Sequence, residues 1–326
     1  MEIANQTKSS GTSSSGNVAI AFIGLCIASV TTSFASIFMV WSERELSATA
    51  TVFNRFWIAA AVMMLWQVLQ VLYRRLASKA SSEDPLTYTR RDWGLLLLAG
   101  IIYPLNHITW AWSLTQTSVA KSAILHEMSP IFTSLAAWLL FARGFDRRFL
   151  LGTIAAMGGA IALVATEALE TTQIVADRLQ GDSAAFLSAA FFATYLIALE
   201  QLRQTFSSTI VLLWISAISA LLPAAIALLS GDSQLFPSSL QGWLSVIGLA
   251  FCAQIIGQGL TGYSLKTFSS GFVALFSLTI PVISALLAAS IFSERLNLLS
   301  YAAFGAILLG LYLGISSKSA KQCKES

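Results

Sequence analysis

The chain has 326 residues, of which 56% are hydrophobic and 11% charged, with a mean hydropathy of +0.72 and a formal net charge of +3. Soluble domains carry about 25% charged residues, so this composition excludes a soluble globular domain and describes an integral membrane protein. The small positive charge does not mark a nucleic-acid binder, and the scattered Cys26, Cys252 and Cys323 form neither a disulfide framework nor a metal-binding spacing.

Residues 1–16 are Ser/Gly/Thr-rich and read as a disordered cytoplasmic tail. No basic n-region or small-residue cleavage site accompanies the first apolar run, which therefore reads as an uncleaved helix. Ten apolar segments follow, at about 17–40, 51–73, 93–113, 118–141, 148–166, 183–202, 208–229, 240–263, 269–292 and 297–315. Residues 317–326 form a second tail. With the N-terminus inside, Arg74, Arg75, Lys79, Arg90, Arg91, Arg147, Arg148 and Arg203 fall on the inner side, with most of the remaining cations. Only Arg44, Arg55, Lys121, Arg178 and Arg295 fall outside. That bias predicts cytoplasmic termini and an even number of spans. The outer loop at 167–182, with Glu167, Glu170, Asp177 and Asp182, is acidic.

The fourth and ninth segments are copies of one another. Ser118–Phe141 (SVAKSAILHEMSPIFTSLAAWLLF) registers without a gap on Ser269–Phe292 (SSGFVALFSLTIPVISALLAASIF) when Pro130 is placed over Pro281. Each proline lacks an N–H and frees a carbonyl four residues back, at His126 and Ser277. A freed carbonyl in hydrocarbon must face protein or a wet cavity, and matched broken helices in two halves point to a transporter's binding site. Ser122, His126, Ser129 and Thr133 share one helical stripe, and Ser270, Ser277 and Ser284 share the corresponding one. Ser33–Glu43 (SFASIFMVWSE) likewise matches Phe191–Gln201 (FFATYLIALEQ). Five helices precede the 167–182 loop and five follow it. An odd number of spans reverses the second half, so residues 17–166 and 183–316 form two inverted-topology five-helix repeats in an all-α, ten-helix membrane protein.

The motifs TSVAKSAILHEMSPIF, FARGFDRRFLLG and GGAIALV in the first half recur as FSSGFVALFSLTIPVI, FSERLN and GAILLGLYLG in the second. In their order and spacing the chain resembles a ten-helix, EamA-type member of the drug/metabolite transporter superfamily over about residues 17–316. The family's exit acid is Glu294 in the second half, whereas the first half has Arg143 there, and His126–Glu127 ahead of the proline is also a departure. The resemblance implies export or exchange of amino acids or other small metabolites through a central cavity; no cofactor is expected.

Glu127 lies near the middle of its helix, where an acid facing lipid costs roughly 2.5–3.5 kcal/mol. With His126 beside it, it is a candidate proton-coupling site. A protonated Glu127 bonding a neighbouring helix, or a counter-ion for a substrate amine, are the other readings. Tyr103, His107 and Trp110 line one face of the third helix, suited to an aromatic or amphipathic substrate or, for the tryptophans, to an interfacial belt. Pro104 frees a further carbonyl at Gly100. Gln254 and Gln258 stand a turn apart among glycines on the eighth helix and serve a substrate or a partner helix. Arg55, about one turn inside the second helix, is expected to snorkel to the outer surface rather than hold a carboxylate. Ser29, Thr32, Ser33 and Ser36 make a mild polar stripe on the first helix, and Arg143, Glu294 and Arg295 read as caps and topology markers.

No Walker loop, HExxH or GxSxG is present. The expectation is therefore a non-enzymatic secondary transporter in a bacterial cytoplasmic membrane. It would export or exchange a small metabolite, foremost an aromatic or apolar amino acid, by alternating access, with substrate contacts at Tyr103, His107, Trp110, His126, Glu127, Gln254, Gln258 and Ser277. Its partners are a small-molecule substrate and the bilayer, and a monomer is the working expectation. A nucleotide-sugar or sugar-phosphate exchanger is the rival within the fold. A membrane-embedded enzyme using His126 and Glu127, or a non-transporting scaffold, are rivals of another class.

Overall fold

A chain this apolar must satisfy its backbone polar groups internally, and helices do so within one segment. The computed structural model is all-α. It describes residues 3–76, 87–117, 119–141, 144–170, 179–231, 234–292 and 298–320. The expectations placed on Arg143, Asp177, Arg178, Glu294, Arg295 and Cys323 lie outside the described residues, as do those on the side chains of Ser36, Lys121, Glu167 and Glu170.

The first span is α1 (Ile3–Ser33) continued by α2 (Ala35–Ser42). α3 (Ala48–Leu76) and α4 (Arg90–Gln116) follow, then the broken pair α5 (Val119–His126) and α6 (Ser129–Phe141), then α7 (Arg147–Glu170). The second half repeats the pattern with α8 (Leu179–Thr205) and α9 (Ser208–Leu229). Its third span is α10 (Leu240–Leu249), a π-helix (Ala250–Gln258) and α11 (Gly259–Ser264). The broken pair α12 (Ser270–Ser277) and α13 (Thr279–Phe292) and the closing α14 (Leu298–Ile315) complete it. Seven of these runs are long and apolar enough to cross a bilayer, and the two broken spans contribute shorter apolar helices. With α7, 24 residues long, the described helices make up a ten-helix fold. α1 begins at Ile3, and its membrane-spanning part begins at Gly16.

The packing obeys the pseudo-two-fold. α7 lies on α14, α3 on α9 and α6 on α12, each joining the same position of the two halves. α4 on α8 is answered by α1–α2 on α10, the π-helix and α11, and α6 on α8 by α13 on α1. Large apolar side chains face outward: Leu65, Trp66, Leu69 and Leu72 on α3 are all more than half exposed. Such a belt would be an aggregation liability in water but is what hydrocarbon requires. The interior holds Ser29, Ser33, Thr51, Asn54, Ser188, Ser216 and Gln254 instead, all buried.

α7 and α14 approach backbone to backbone. A Cβ on Gly152 would lie 2.5 Å from the Gly310 carbonyl, and one on Gly310 would meet the backbone and side chain of Ala156. Gly305, by contrast, has nothing within 4 Å of such a Cβ. Gly310→Leu is therefore expected to destabilise the detergent-purified protein by about 1–3 kcal/mol through overpacking, while Gly305→Leu leaves its thermal midpoint unchanged. Equal midpoints for the two variants would contradict this packing.

Side-chain latches tie the two ends of the bundle. At one end the Glu45 carboxylate, in the α2–α3 turn, accepts from the amides and hydroxyls of Ser238 and Ser239 at the start of α10. It also accepts from Gln234 Nε2 at 3.2 Å. The Ser238 and Ser239 hydroxyls, and then the Ser238 amide, hold its pKa at about 2, below the ordinary 4.5. The bonded form is the ionised one, so the latch is whole above pH 4.5 and is lost as pH falls toward 2. Thermal midpoints measured across that window should fall for the wild type more steeply than for Glu45→Gln, which lacks the ionised latch throughout. Parallel curves would show that the latch adds no stability. At the other end Asp146 accepts from Phe149 N (2.8 Å) and Lys318 N (2.9 Å), and Ser269 N donates to Ala320 O at 2.9 Å. The stretch 317–320, expected to begin the second tail, is thus fastened to the starts of α7 and α12.

Candidate functional site

The polar interior gathers where helices break. Pro130 is the second residue of α6, in the first turn where a missing N–H costs nothing. The break falls just before it, with Glu127 and Met128 in a turn. Glu127 N donates to Ala123 O at 2.9 Å and Met128 N to Leu125 O at 3.3 Å. In the second half only Leu278 separates α12 from α13, where Pro281 is again in the first turn. α1 breaks at Phe34 opposite this point. The Ser33 hydroxyl contacts Ser29 O at 2.7 Å and Ile280 O at 3.1 Å, and Thr279 Oγ1 donates to Ser29 Oγ at 2.9 Å. The carbonyl freed by Pro104 at Gly100 is taken by the Ser219 hydroxyl at 2.9 Å, so α4 runs on through its proline.

Between α1, α8, the π-helix with α11, and α12–α13 lies a small cavity of about 30 Å³, room for a water molecule or two. Ser29, Thr32, Phe192, Gln258, Thr261 and Ser277 are among its walls. This conformation therefore admits water and must open to admit a metabolite.

Two side-chain groups meet at Phe192. On one side His126 stacks obliquely beside Trp110, with centroids 5.3 Å apart, and lies 6.3 Å from the Phe192 ring. His126 Nδ1 is 2.8 Å from Ser188 Oγ, whose own hydrogen points to Ala185 O. The imidazole is thus the donor at Nδ1, leaving Nε2 able to accept a proton. The buried Trp110 Nε1 has no hydrogen-bond partner among the described residues. Glu127 is partly buried in the turn that follows His126.

On the other side Phe192 leads to Tyr195, which stacks on Tyr103 at 4.0 Å. Tyr195 OH donates to Gln258 Oε1 at 3.0 Å. Here the expectation for Arg55 is overturned. It is 6% exposed, and its guanidinium points inward. Nε donates to Gln254 Oε1 (3.3 Å), Nη1 to His107 Nε2 (3.0 Å) and Nη2 to Tyr103 OH (3.0 Å). His107 Nδ1 lies 2.9 Å from Tyr103 O. A neutral ring donating at Nδ1 and accepting at Nε2 satisfies both contacts. α3 starts at Ala48 rather than near residue 51, so Arg55 is about 10 Å into its helix, too far to snorkel outward past mid-helix partners.

Gln254 and Gln258 both belong to the π-helix. Its wider turn is the kind of local distortion found at functional sites. Only Gln258 lines the cavity; Gln254 is fully buried and bridges Arg55 to Ser216 Oγ at 3.2 Å. Tyr103 and His107 stand with it behind the wall. Ser277 is on the wall, its hydroxyl turned to Ala274 O at 2.7 Å. Ser188, Phe192 and Tyr195 were not among the expected site residues, although they recur at helical spacing on one span. No group of three or more His, Cys, Asp or Glu among the described residues is placed to hold a metal.

Residues 19–165 and 179–316 each match the EamA-like transporter family. A curated relative from Escherichia coli (strain K12), "Probable amino-acid metabolite efflux pump", is 38% identical over 72 residues, 22% of this chain and 24% of the relative. The chain thus aligns with about a quarter of that relative's length. A solved crystal structure superposes with a TM-score of 0.72 over 92% of this chain and 97% of its own, at 15% identity, a likeness of fold alone.

Proposed function

This chain belongs to the EamA-like transporter family, and from that premise we propose that it exports an amino acid with an aromatic or apolar side chain across a bacterial cytoplasmic membrane, with both termini inside. The observation that carries this reading is the cavity at the interface of the two repeats. It has an aromatic wall at Phe192, backed by Trp110 and His126, and hydrogen-bonding walls at Gln258 and Ser277. Aromatic faces bind apolar side chains and amides and hydroxyls orient polar ends, which is the division of labour a small-metabolite site needs. The named E. coli relative supports a metabolite cargo.

The exchange symmetry of the contacts supports alternating access, with one half rocking against the other about the broken helices. His126 offers Nε2 and Glu127 a carboxylate at the α5–α6 turn, a pair suited to carrying a proton through the cycle. The sugar-phosphate reading wants several cations at the cavity, and among the described residues the network behind it holds Arg55. Uptake of labelled phenylalanine, leucine and glucose 6-phosphate into proteoliposomes separates the readings. Movement of the amino acids supports export, movement of the sugar phosphate alone replaces it, and chemical conversion of any of them argues for an enzyme.

A further inference from the structure

Arg55 is a cation buried in the middle of a membrane protein with only neutral acceptors around it. Gln254 Oε1, His107 Nε2 and Tyr103 OH take three of its N–H groups. The Phe56 and Tyr103 rings cover its faces, with centroids 5.6 and 5.9 Å from Cζ. Among the described residues no carboxylate pairs with it. A guanidinium has five N–H donors, so one on each terminal nitrogen is left over, which is the count a carboxylate takes in a two-pronged pair. A buried charge without a counter-charge is disfavoured, and its environment gains when an anion arrives.

The surroundings connect this charge to the cavity. Gln254, which holds Nε, and Gln258, which lines the cavity, share the π-helix. Tyr103, which holds Nη2, stacks on Tyr195, and Tyr195 bonds Gln258. A movement of the π-helix that opens the cavity past Gln258 therefore acts on both neighbours of the guanidinium. The aromatic wall at Phe192 lies next to Tyr195 in the same layer.

We propose that Arg55 is the anion receptor of the site and takes the carboxylate of the transported molecule, an inference that rests on the exporter reading of the cavity. The cargo is then a carboxylic acid carrying an apolar or aromatic group, and neutralising the acid removes recognition. His107 and Tyr103 are positioning residues that hold the guanidinium from behind.

The test uses intrinsic tryptophan fluorescence of the detergent-purified full chain, titrated with phenylalanine, phenylalaninamide and 3-phenylpropanoate. Wild type is expected to bind both carboxylates at least ~30-fold more tightly than the amide, since a buried charge left without its partner is costly. Arg55→Gln should abolish that preference, and Arg55→Lys, which keeps the charge but not the fork, should retain part of it. Elution volume and helical circular dichroism establish that each variant is folded. If Arg55→Gln does not fold, the wild-type ratio and Arg55→Lys still decide. Equal binding of acid and amide by wild type, a preference that survives in folded Arg55→Gln, or no binding of either carboxylate overturns the proposal. The two readings fail separately. A wild type that transports phenylalaninamide as well as phenylalanine keeps export and loses the receptor. One that binds carboxylates through Arg55 but moves none keeps the receptor and loses export.

Discussion

Glu127→Gln is expected to leave exchange of substrate intact while abolishing its response to a pH gradient. For one coupled proton, each pH unit across the membrane sustains about a tenfold accumulation, so wild type should concentrate substrate about tenfold per unit and the variant should only equilibrate it. Glutamine keeps the size and hydrogen-bonding capacity of the side chain but cannot titrate. Glu127 is partly buried in the unwound turn between α5 and α6, next to a histidine whose Nδ1 is committed to Ser188 and whose Nε2 is open. A carboxyl facing lipid at this depth would cost roughly 2.5–3.5 kcal/mol when charged, so its ionisation follows the access of water to the turn. Loss of exchange in the absence of a gradient would make Glu127 a substrate contact. An unchanged gradient response would remove it from the mechanism.

The second large effect is expected at Phe192. Its ring is the one side chain among the described residues that both lines the cavity and joins the His126–Trp110 group to the Tyr195–Tyr103 group. Phe192→Ala removes a ring that would lie against an aromatic substrate, a loss of about 2–3 kcal/mol, or roughly 30- to 150-fold in affinity for phenylalanine. Phe192→Leu restores apolar area without the ring face and should lose only about 0.5–1.5 kcal/mol. Competition binding with phenylalanine, leucine and alanine reads both. A uniform loss across the three ligands would mean that Phe192 supports the fold rather than the selectivity.

The ten spans and the two helix breaks were legible in the sequence because hydropathy and proline act locally. A run of apolar residues has no other way to satisfy its backbone in lipid, and Pro130 and Pro281 announce a missing donor wherever they stand. The break at Phe34 has no proline to announce it and is visible only in the hydroxyl contacts across to Ile280. The π-helix was equally hidden, since its wider turn leaves no period in the sequence, yet it decides that Gln258 reaches the cavity while Gln254 turns to Arg55. Arg55 was misplaced by a boundary. A helix start set three residues late makes a buried cation look like one at the membrane surface, because depth grows by about 1.5 Å per residue. Tyr195 was noted for repeat register but not for chemistry, because its role depends on Tyr103 and Gln258, which come from other spans.

In the proposed function a metabolite crosses between the two repeats through the cavity at Phe192, Gln258 and Ser277. The most direct test is counterflow of labelled phenylalanine into proteoliposomes holding the purified full chain, compared with protein-free vesicles. Saturable flux is expected, which unlabelled tryptophan and leucine compete away and which Ser277→Phe, filling the cavity, blocks. Flux no greater than in protein-free vesicles, or flux indifferent to a filled cavity, would contradict it.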